Sequence, residues 1–161
     1  MKRWFRVQAI GVIRRPGAGE PAVDDFFDPA LESVIEIDPR WSDGLTRIEE
    51  YSHLVVLFYL DRATRRRAAG RSATPEGRQE LPPVGFFATR TPKRPNPVGI
   101  GCPRLTRREG NRLVVTGLDA WDGTPVIDVK GYSRRDEYHP EAVMPGWLLH
   151  LWEQHDADRG R

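Results

Sequence analysis

Three cations and an amide are concentrated in residues 85–101, a segment punctuated by proline and glycine. The cations are Arg90, Lys93 and Arg94, and Asn96 follows them after one proline. Proline fixes the backbone φ angle and removes a hydrogen-bond donor, so this segment cannot run as a helix and would make a poor central strand. Ordered loops that present charge are common sites of binding and catalysis. The residue types therefore predict a rigid functional loop, with a solvated, proline-stiffened connection as the alternative.

The positive charge of the chain is unevenly distributed. The formal net charge is only +2, yet residues 61–94 hold nine arginines and lysines against three carboxylates. The balance of +6 there leaves the rest of the chain near −4. A basic region on an acidic body is what attraction to a phosphate backbone requires. A flexible loop whose arginines only maintain solubility is the alternative.

The sequence lacks the residue patterns typical of metal sites, nucleotide hydrolases and doubly wound methyltransferases. The four histidines show neither HxxxH nor HxH spacing and there is one cysteine, Cys102, so no metal is assigned. Neither the P-loop glycine pattern nor GxGxxG occurs, which argues against a nucleotide hydrolase and a doubly wound methyltransferase. We interpret Cys102 as a small buried residue rather than a nucleophile.

Composition is typical of one globular domain. The chain has 161 residues, 30% of them charged, and no apolar run approaches the roughly 18 residues of a membrane span. The start of the chain lacks the apolar core and cleavage site of a secretory signal. We therefore expect a cytoplasmic protein.

Short apolar runs predict strands rather than helices. The runs cover residues 5–11, 33–37, 54–60, 84–88, 98–106, 112–116 and 126–132. Turn signals at 109–111 and 122–123 precede the last two. Parallel βαβ units would need connecting helices of about a dozen residues, which are missing. The expected fold is mainly β: a small closed or nearly closed β-barrel with short flanking helices.

Two helical pieces are expected beside the strands. Residues 44–51 have an apolar residue at every third position, and residues 147–155 carry an apolar stripe that includes Trp147 and Trp152. Residues 62–79 show no periodicity and are expected to form a basic, mobile insertion within a barrel domain of residues 1–140. Residues 141–161 would be a helical extension. So short a stripe must dock, which predicts a homodimer, with packing on its own barrel as the alternative.

Three sequence blocks resemble those of the TrmO family of tRNA methyltransferases. They are FATRTPKRPNPVG, DGTPVIDVKGY and EYSHLVVLF, at residues 87–99, 122–132 and 50–58. The similarity runs from residue 10 to about residue 132. It implies a β-barrel enzyme that uses S-adenosylmethionine, with no metal, to methylate the exocyclic nitrogen of threonylcarbamoyl-adenosine beside a tRNA anticodon.

The resemblance also implies roles for individual residues. The cofactor pocket would be formed by His53, Leu54, Arg90, Ile100, Gly117, Leu118, Asp119 and Ala120. The catalytic residues would be Tyr132, Asp128 and Asn96. The tRNA would be bound by Arg65, Arg66, Arg67, Lys93 and Arg94.

Several alternatives stay open at this point. His53 could be a core histidine bonded to a backbone carbonyl, and Arg90 could belong to a surface ion pair. The whole chain could be an RNA-binding barrel without catalysis, or a regulatory domain that binds S-adenosylmethionine.

The sequence departs from the family pattern in two places. Where the family has a Pro-x-Gln element, residues 22–28 carry three carboxylates and two phenylalanines. Here Asp24 or Asp25 would favour the sulfonium cation of the cofactor, and Phe26 or Phe27 would cover a flat ring; an acidic loop anchored by two aromatic residues is the alternative. In the DGTPVIDVKGY block, Gly131 follows Lys130 at the position where the family has proline. This change is expected to loosen the strand end.

Overall fold

The computed structural model of the chain describes residues 6–15, 30–62 and 72–158. The strands in these ranges are β1 (Gly11–Arg14), β2 (Glu32–Ile37), β3 (Leu54–Tyr59), β4 (Ser72–Ala73), β5 (Val84–Gly85), β6 (Val98–Gly101), β7 (Arg104–Glu109), β8 (Arg112–Thr116) and β9 (Pro125–Gly131). The α-helices are α1 (Arg134–Glu137) and α2 (Gly146–Asp158). Short 3-10 helices span Pro39–Leu45, Ile48–Glu50, Pro75–Gly77 and Phe86–Ala88.

Seven of these strands form one antiparallel sheet in the order β6-β3-β9-β1-β2-β8-β7, and β4 pairs with β5 separately. The sheet is not closed, because β6 and β7 remain its two edges. An isolated bridge joins His53, just before β3, to Arg104, the first residue of β7. In the described part of the chain, the start of β3 thus meets the start of β7 at this bridge, through hydrogen bonds from the Leu54 N–H to the Pro103 carbonyl and from the Leu105 N–H to the Ser52 carbonyl. The mainly β fold is confirmed, whereas a barrel describes the shape only approximately.

The core lies on the inward face of this sheet. Side chains alternate between the two faces of a strand, and Leu54, Val56 and Phe58 of β3 point inward, each no more than 3% exposed. Ile13 of β1 and Ile35 of β2 belong to the same cluster and are fully buried. Burial of these branched side chains supplies the main driving force for folding.

Some predicted elements differ from those observed. Among the described residues the first strand begins at Gly11 rather than near residue 5, although the Asp38 N–H donates to the Ile10 carbonyl at 2.9 Å just before it. The run at 84–88 is a strand only over Val84–Gly85. The run at 98–106 is broken before β7 by Pro103, which has no N–H to extend the ladder. The helix predicted at 44–51 is divided between two 3-10 segments.

The predicted helix at 147–155 is confirmed as α2, and its last turns dock on the chain's own Pro75–Gly77 segment. His155 Nε2 lies 3.0 Å from the Glu76 carboxylate, and Arg78 donates to Gln154. Leu151 is 7% exposed. The division into domains at residue 140 and the homodimer stay predictions. No helix in the described part of the chain is long and apolar enough to cross a lipid bilayer.

Candidate functional site

The loop between β5 and β6 is braced by its own threonines. Thr89 Oγ1 donates to the Phe86 carbonyl at 3.1 Å and accepts from the Thr91 N–H at 3.4 Å. Thr91 Oγ1 accepts from the Lys93 N–H at 3.3 Å. The Arg94 guanidinium donates to the Thr89 carbonyl at 3.3 Å. These local bonds from hydroxyl groups fix the backbone without helix or strand.

The same bracing leaves three side chains of the loop directed to solvent. Arg90, Lys93 and Asn96 are exposed, and within the residues that the structure describes their side chains make no hydrogen bond or ion pair. The ion pair considered for Arg90 is therefore not observed there. Arg94 differs, because part of its guanidinium already supports the loop. Two cations and an amide remain available to a ligand.

Strand register places Ile100, Leu57 and Asp128 in one row across β6, β3 and β9. Opposed residues on paired strands share a face, and this row lies on the face away from the core. Ile100 is 51% exposed. The next opposed pair, Val98 and Tyr59, is 37% and 39% exposed. We call these five residues the apolar outer face.

A β-bulge lies beside Asp128. Leu57 faces Asp128 but Phe58 faces Val126, so Ile127 has no partner on β3. Such bulges bend a strand and redirect its side chains. Asp128 Oδ1 accepts from the Val129 N–H at 2.9 Å, and its second oxygen forms an ion pair with Lys130. The carboxylate is thus oriented by its own strand.

His53 and Tyr132 form a second cluster at the ends of β3 and β9. The Tyr132 N–H donates to the His53 carbonyl at 3.0 Å, and the two rings meet edge-on with centroids 6.2 Å apart. His53 is half-buried, and its Nδ1 lies 3.0 Å from Ser52 Oγ, not against a backbone carbonyl. Tyr132 is four residues beyond Asp128, about 13 Å along an extended strand. The structure therefore separates these two predicted catalytic residues.

Residues 117–120 pack against β6. A Cβ on Gly101 would lie 2.8 Å from Leu118 Cδ1, so glycine makes room for this buried leucine. Gly117 has φ +80°, a left-handed conformation that favours glycine. Asp119 is exposed, between buried neighbours. The segment predicted to contact the cofactor is thus brought beside the strand that carries Ile100.

The profile of the tRNA-methyltransferase O N-terminal domain family matches residues 21–137. The chain belongs to the TrmO family. It is 40% identical over 141 residues to a probable S-adenosyl-L-methionine-binding protein of Pyrococcus abyssi, covering 86% of this chain and 73% of that relative. It is 44% identical over 165 residues to a probable S-adenosyl-L-methionine-binding protein of Archaeoglobus fulgidus, covering 93% of this chain and 43% of the relative.

A solved structure of the TrmO family shares the fold. The crystal structure of TrmO from Pseudomonas aeruginosa matches with a TM-score of 0.66 and 28% identity, over 88% of this chain and 62% of that chain. The chain therefore spans less than two thirds of the length of the Pseudomonas protein and less than half of the Archaeoglobus relative.

Not every residue assigned from the TrmO resemblance is available to a ligand. The Leu54 side chain is fully buried in the core, and its N–H donates to the Pro103 carbonyl at 3.0 Å. Leu54 could therefore contribute only its own carbonyl. Cys102 is exposed rather than buried, so the expectation of burial was wrong. Asp25, Phe26, Arg65, Arg66 and Arg67 lie outside the described residues.

The departure from the TrmO pattern at Gly131 has a structural counterpart. A Cβ on Gly131 would lie 2.5 Å from the Tyr51 ring, which occupies the space that a larger residue would need. Gly131 still pairs with Leu54 as the last residue of β9. The strand end is therefore held by pairing rather than loosened, and the compensating residue, Tyr51, lies in another family block.

Two open grooves occur elsewhere on the described surface. One is lined by Glu32, Val34, Arg107, Glu109, Arg112 and Val114, and the other by residues of β1, the end of β2 and the β7–β8 turn. Neither is lined by a residue assigned to cofactor, catalysis or RNA. In the first groove, hydrogen bonds to Glu109 and Glu32 raise the pKa of Arg107, so its charge is already matched. Among described residues, no group of three His, Cys, Asp or Glu side chains could hold a metal ion.

Proposed function

We propose that the chain is an S-adenosylmethionine-dependent methyltransferase acting in tRNA modification, on the exocyclic nitrogen of threonylcarbamoyl-adenosine beside the anticodon. The observation that carries the proposal is the register row that sets exposed Ile100 and the Asp128 carboxylate on one face, with β6 leading out of the braced loop. Membership of the TrmO family supports the reaction class. The names of the two archaeal relatives support the cofactor.

The apolar outer face fits the parts of this cofactor. Ile100 and Val98 offer an apolar wall to a purine ring. β6 is an edge strand, so the backbone groups on its free side can bond the ribose and the amino-acid end. The exposed carboxylate of Asp119 favours a nearby cation, whereas that of Asp128 is already paired with Lys130. When bound, S-adenosylmethionine supplies a methyl group on a positively charged sulfur that is its own leaving group.

The protein's own task is to orient the acceptor and exclude water. Asp128 accepts a hydrogen bond from the exocyclic N–H of the acceptor. Tyr132, about 13 Å away along β9, contacts a different part of the modified nucleoside. Arg90 lines the cofactor pocket, Lys93 binds a phosphate beside the acceptor, and Asn96 donates to the acceptor.

A homodimer completes the site in this proposal. The apolar outer face is open to solvent in one chain, and a second subunit covering it would keep water from the methyl group. On α2, Leu149 and Trp152 are 43% and 49% exposed. They are a second exposed apolar surface for a partner, although the helix also docks on its own chain.

The experiment is mass spectrometry of nucleosides from tRNA treated with the protein and S-adenosylmethionine. We expect one methyl gained on one modified adenosine. Arg90→Ala should lower turnover about tenfold to a hundredfold, the effect of losing a charge-assisted hydrogen bond, with the thermal midpoint unchanged. Arg112→Ala, an exposed arginine on β8 outside the site, is the control and should retain turnover.

Two results would contradict the proposal in different ways. Normal turnover by Arg90→Ala would remove that residue from the site. No methyl transfer by a wild type that binds the cofactor would favour a second candidate, a binding module without catalysis. The names of the two archaeal relatives, which state S-adenosyl-L-methionine binding, favour that candidate. For this candidate, calorimetry should show saturable binding of S-adenosylmethionine and of its demethylated product, with no methyl transfer.

A further inference from the structure

The turn before β9 presents an exposed indole with an arginine over it. Trp121 is 44% exposed, and the Arg62 guanidinium lies 5.7 Å from its ring centroid. Arg62 Nη2 also donates to the Asp122 carbonyl at 3.0 Å, which fixes the guanidinium beside the ring. Neither Arg62 nor Trp121 has a part in the site described above.

The indole stands on a rigid support. The Gly123 N–H donates to the Ile13 carbonyl at 2.8 Å, and the Arg15 N–H donates to Asp122 Oδ1 at 2.9 Å. Gly123 has φ +80°, so the turn depends on glycine at this position. Because β1 and the residue that follows it hold both Asp122 and Gly123, a flat ligand that stacks on Trp121 would meet a preformed surface.

We propose that Arg62 and Trp121 form a stacking platform for an unpaired nucleobase of RNA. The inference rests on the proposed function, in which the substrate is a tRNA. Aromatic rings and guanidinium planes are the usual stacking partners of unstacked bases, since every base has a π-face. Trp121 follows directly on residues 117–120, assigned to the cofactor. A base on this platform would therefore neighbour the acceptor nucleotide.

A second arginine–tryptophan pair in the chain gives a matched control. The Arg40 guanidinium is also 5.7 Å from the Trp41 ring centroid, and Trp41 is 41% exposed. The two indoles thus agree in exposure and in their cation. Arg40, however, is ion-paired with Asp38 at 3.0 Å, and its segment adjoins no residue assigned to the site.

The test compares binding of the full-length chain to an RNA stem–loop and to a blunt RNA duplex, by fluorescence anisotropy. Trp121→Ala should weaken stem–loop binding about tenfold to a hundredfold, the contribution of one stacked base, and leave duplex binding unchanged. Trp41→Ala should change neither. Trp121→Phe keeps a flat ring and should retain most of the stem–loop affinity, which separates stacking from any effect on folding. Calorimetry should give the same S-adenosylmethionine affinity for every variant.

The other outcomes overturn the platform. Equal stem–loop binding by Trp121→Ala and wild type would reject it and leave the proposed function standing. A loss of cofactor affinity with normal RNA binding would assign the indole to the adenine of the cofactor instead. A tenfold loss of stem–loop affinity in Trp121→Phe would show that the RNA does not recognise Trp121 simply as a flat ring for stacking. A wild type that binds neither RNA would reject the tRNA substrate and the platform together.

Discussion

Two regions of the sheet's outer face differ in the side chains that cover them. Across β1, β2, β8 and β7 the outward charges form a network of ion pairs among Arg14, Glu32, Glu36, Arg107, Glu109 and Arg112. Beneath them Val34 and Val114 are only 6% and 1% exposed. The apolar outer face on β6, β3 and β9 has Ile100 51% exposed.

Whether the surface charges already have partners is a better guide to the position of a ligand than the shape of the surface. The grooves lie among charges that already have partners, so a ligand there would have to break ion pairs. Contiguous exposed apolar side chains instead mark interaction sites. The residues assigned from the family blocks, Ile100 and Asp128, lie on the apolar outer face, outside both of these grooves.

The largest effect is expected where the apolar outer face is attached to the core. A Cβ on Gly99 would lie 2.3 Å from the Phe58 ring, and Phe58 is 3% exposed. Gly99→Ala should therefore lower the free energy of unfolding by about 1–3 kcal/mol, measured by urea denaturation. Gly44→Ala, with no atom within 4 Å, is the control. Equal stability of the two variants would mean that the Phe58 ring moves aside freely.

An intermediate effect is expected on cofactor binding and on dimer formation, without a change in stability. Ile100→Asp should weaken S-adenosylmethionine binding at least about tenfold, because a buried isoleucine contributes about 1.5–3 kcal/mol, and should shift the mass in light scattering toward the monomer. The thermal midpoint should stay unchanged, since the side chain is already exposed. Val7→Asp changes a residue that is 59% exposed outside the sheet and should bind normally. Normal cofactor affinity in Ile100→Asp would contradict the assignment of this face.

The smallest effect is expected on the charged side of the sheet. Arg107 Nε lies 2.6 Å from Glu109, and its Nη1 lies 2.7 Å from Glu32, but exposed pairs contribute at most about 1 kcal/mol. Arg107→Gln should therefore cost no more than this at low salt, and less at high salt because the pairs are screened. Urea denaturation at both salt concentrations measures the change. Weaker cofactor binding in this variant would show that the two faces are not functionally distinct.

The sequence predicted several strands closely but not their order. The strand at 112–116 is found as expected, and those at 33–37 and 54–60 differ by one residue, because short apolar runs mark them. The placement of β9 between β1 and β3 was not predicted, since it depends on contacts between residues far apart in the chain. Whether the expected closed or nearly closed barrel closes depends on the same distant contacts, and the sheet is open.

The site was predicted as a set of residues rather than as a geometry. The family blocks named Ile100 and Asp128, but their common row depends on β3 pairing with both β6 and β9. The separation of Asp128 from Tyr132 could have been inferred from strand spacing alone. Arg62 and Trp121 belong to no motif and are 59 positions apart in the sequence, so only the fold relates them.

The position of β9 also governs when the protein can fold. β9 is the last strand of the chain, yet it joins two groups, β6–β3 and β1–β2–β8–β7. Until Pro125–Gly131 has been synthesised, each group keeps an open strand edge, and open edges pair readily with other chains. Asp128 is carried by this joining strand. Synthesis of β9 therefore completes the sheet and also supplies the carboxylate proposed to orient the acceptor. Chains stalled before β9 lack both the continuous sheet and this part of the site.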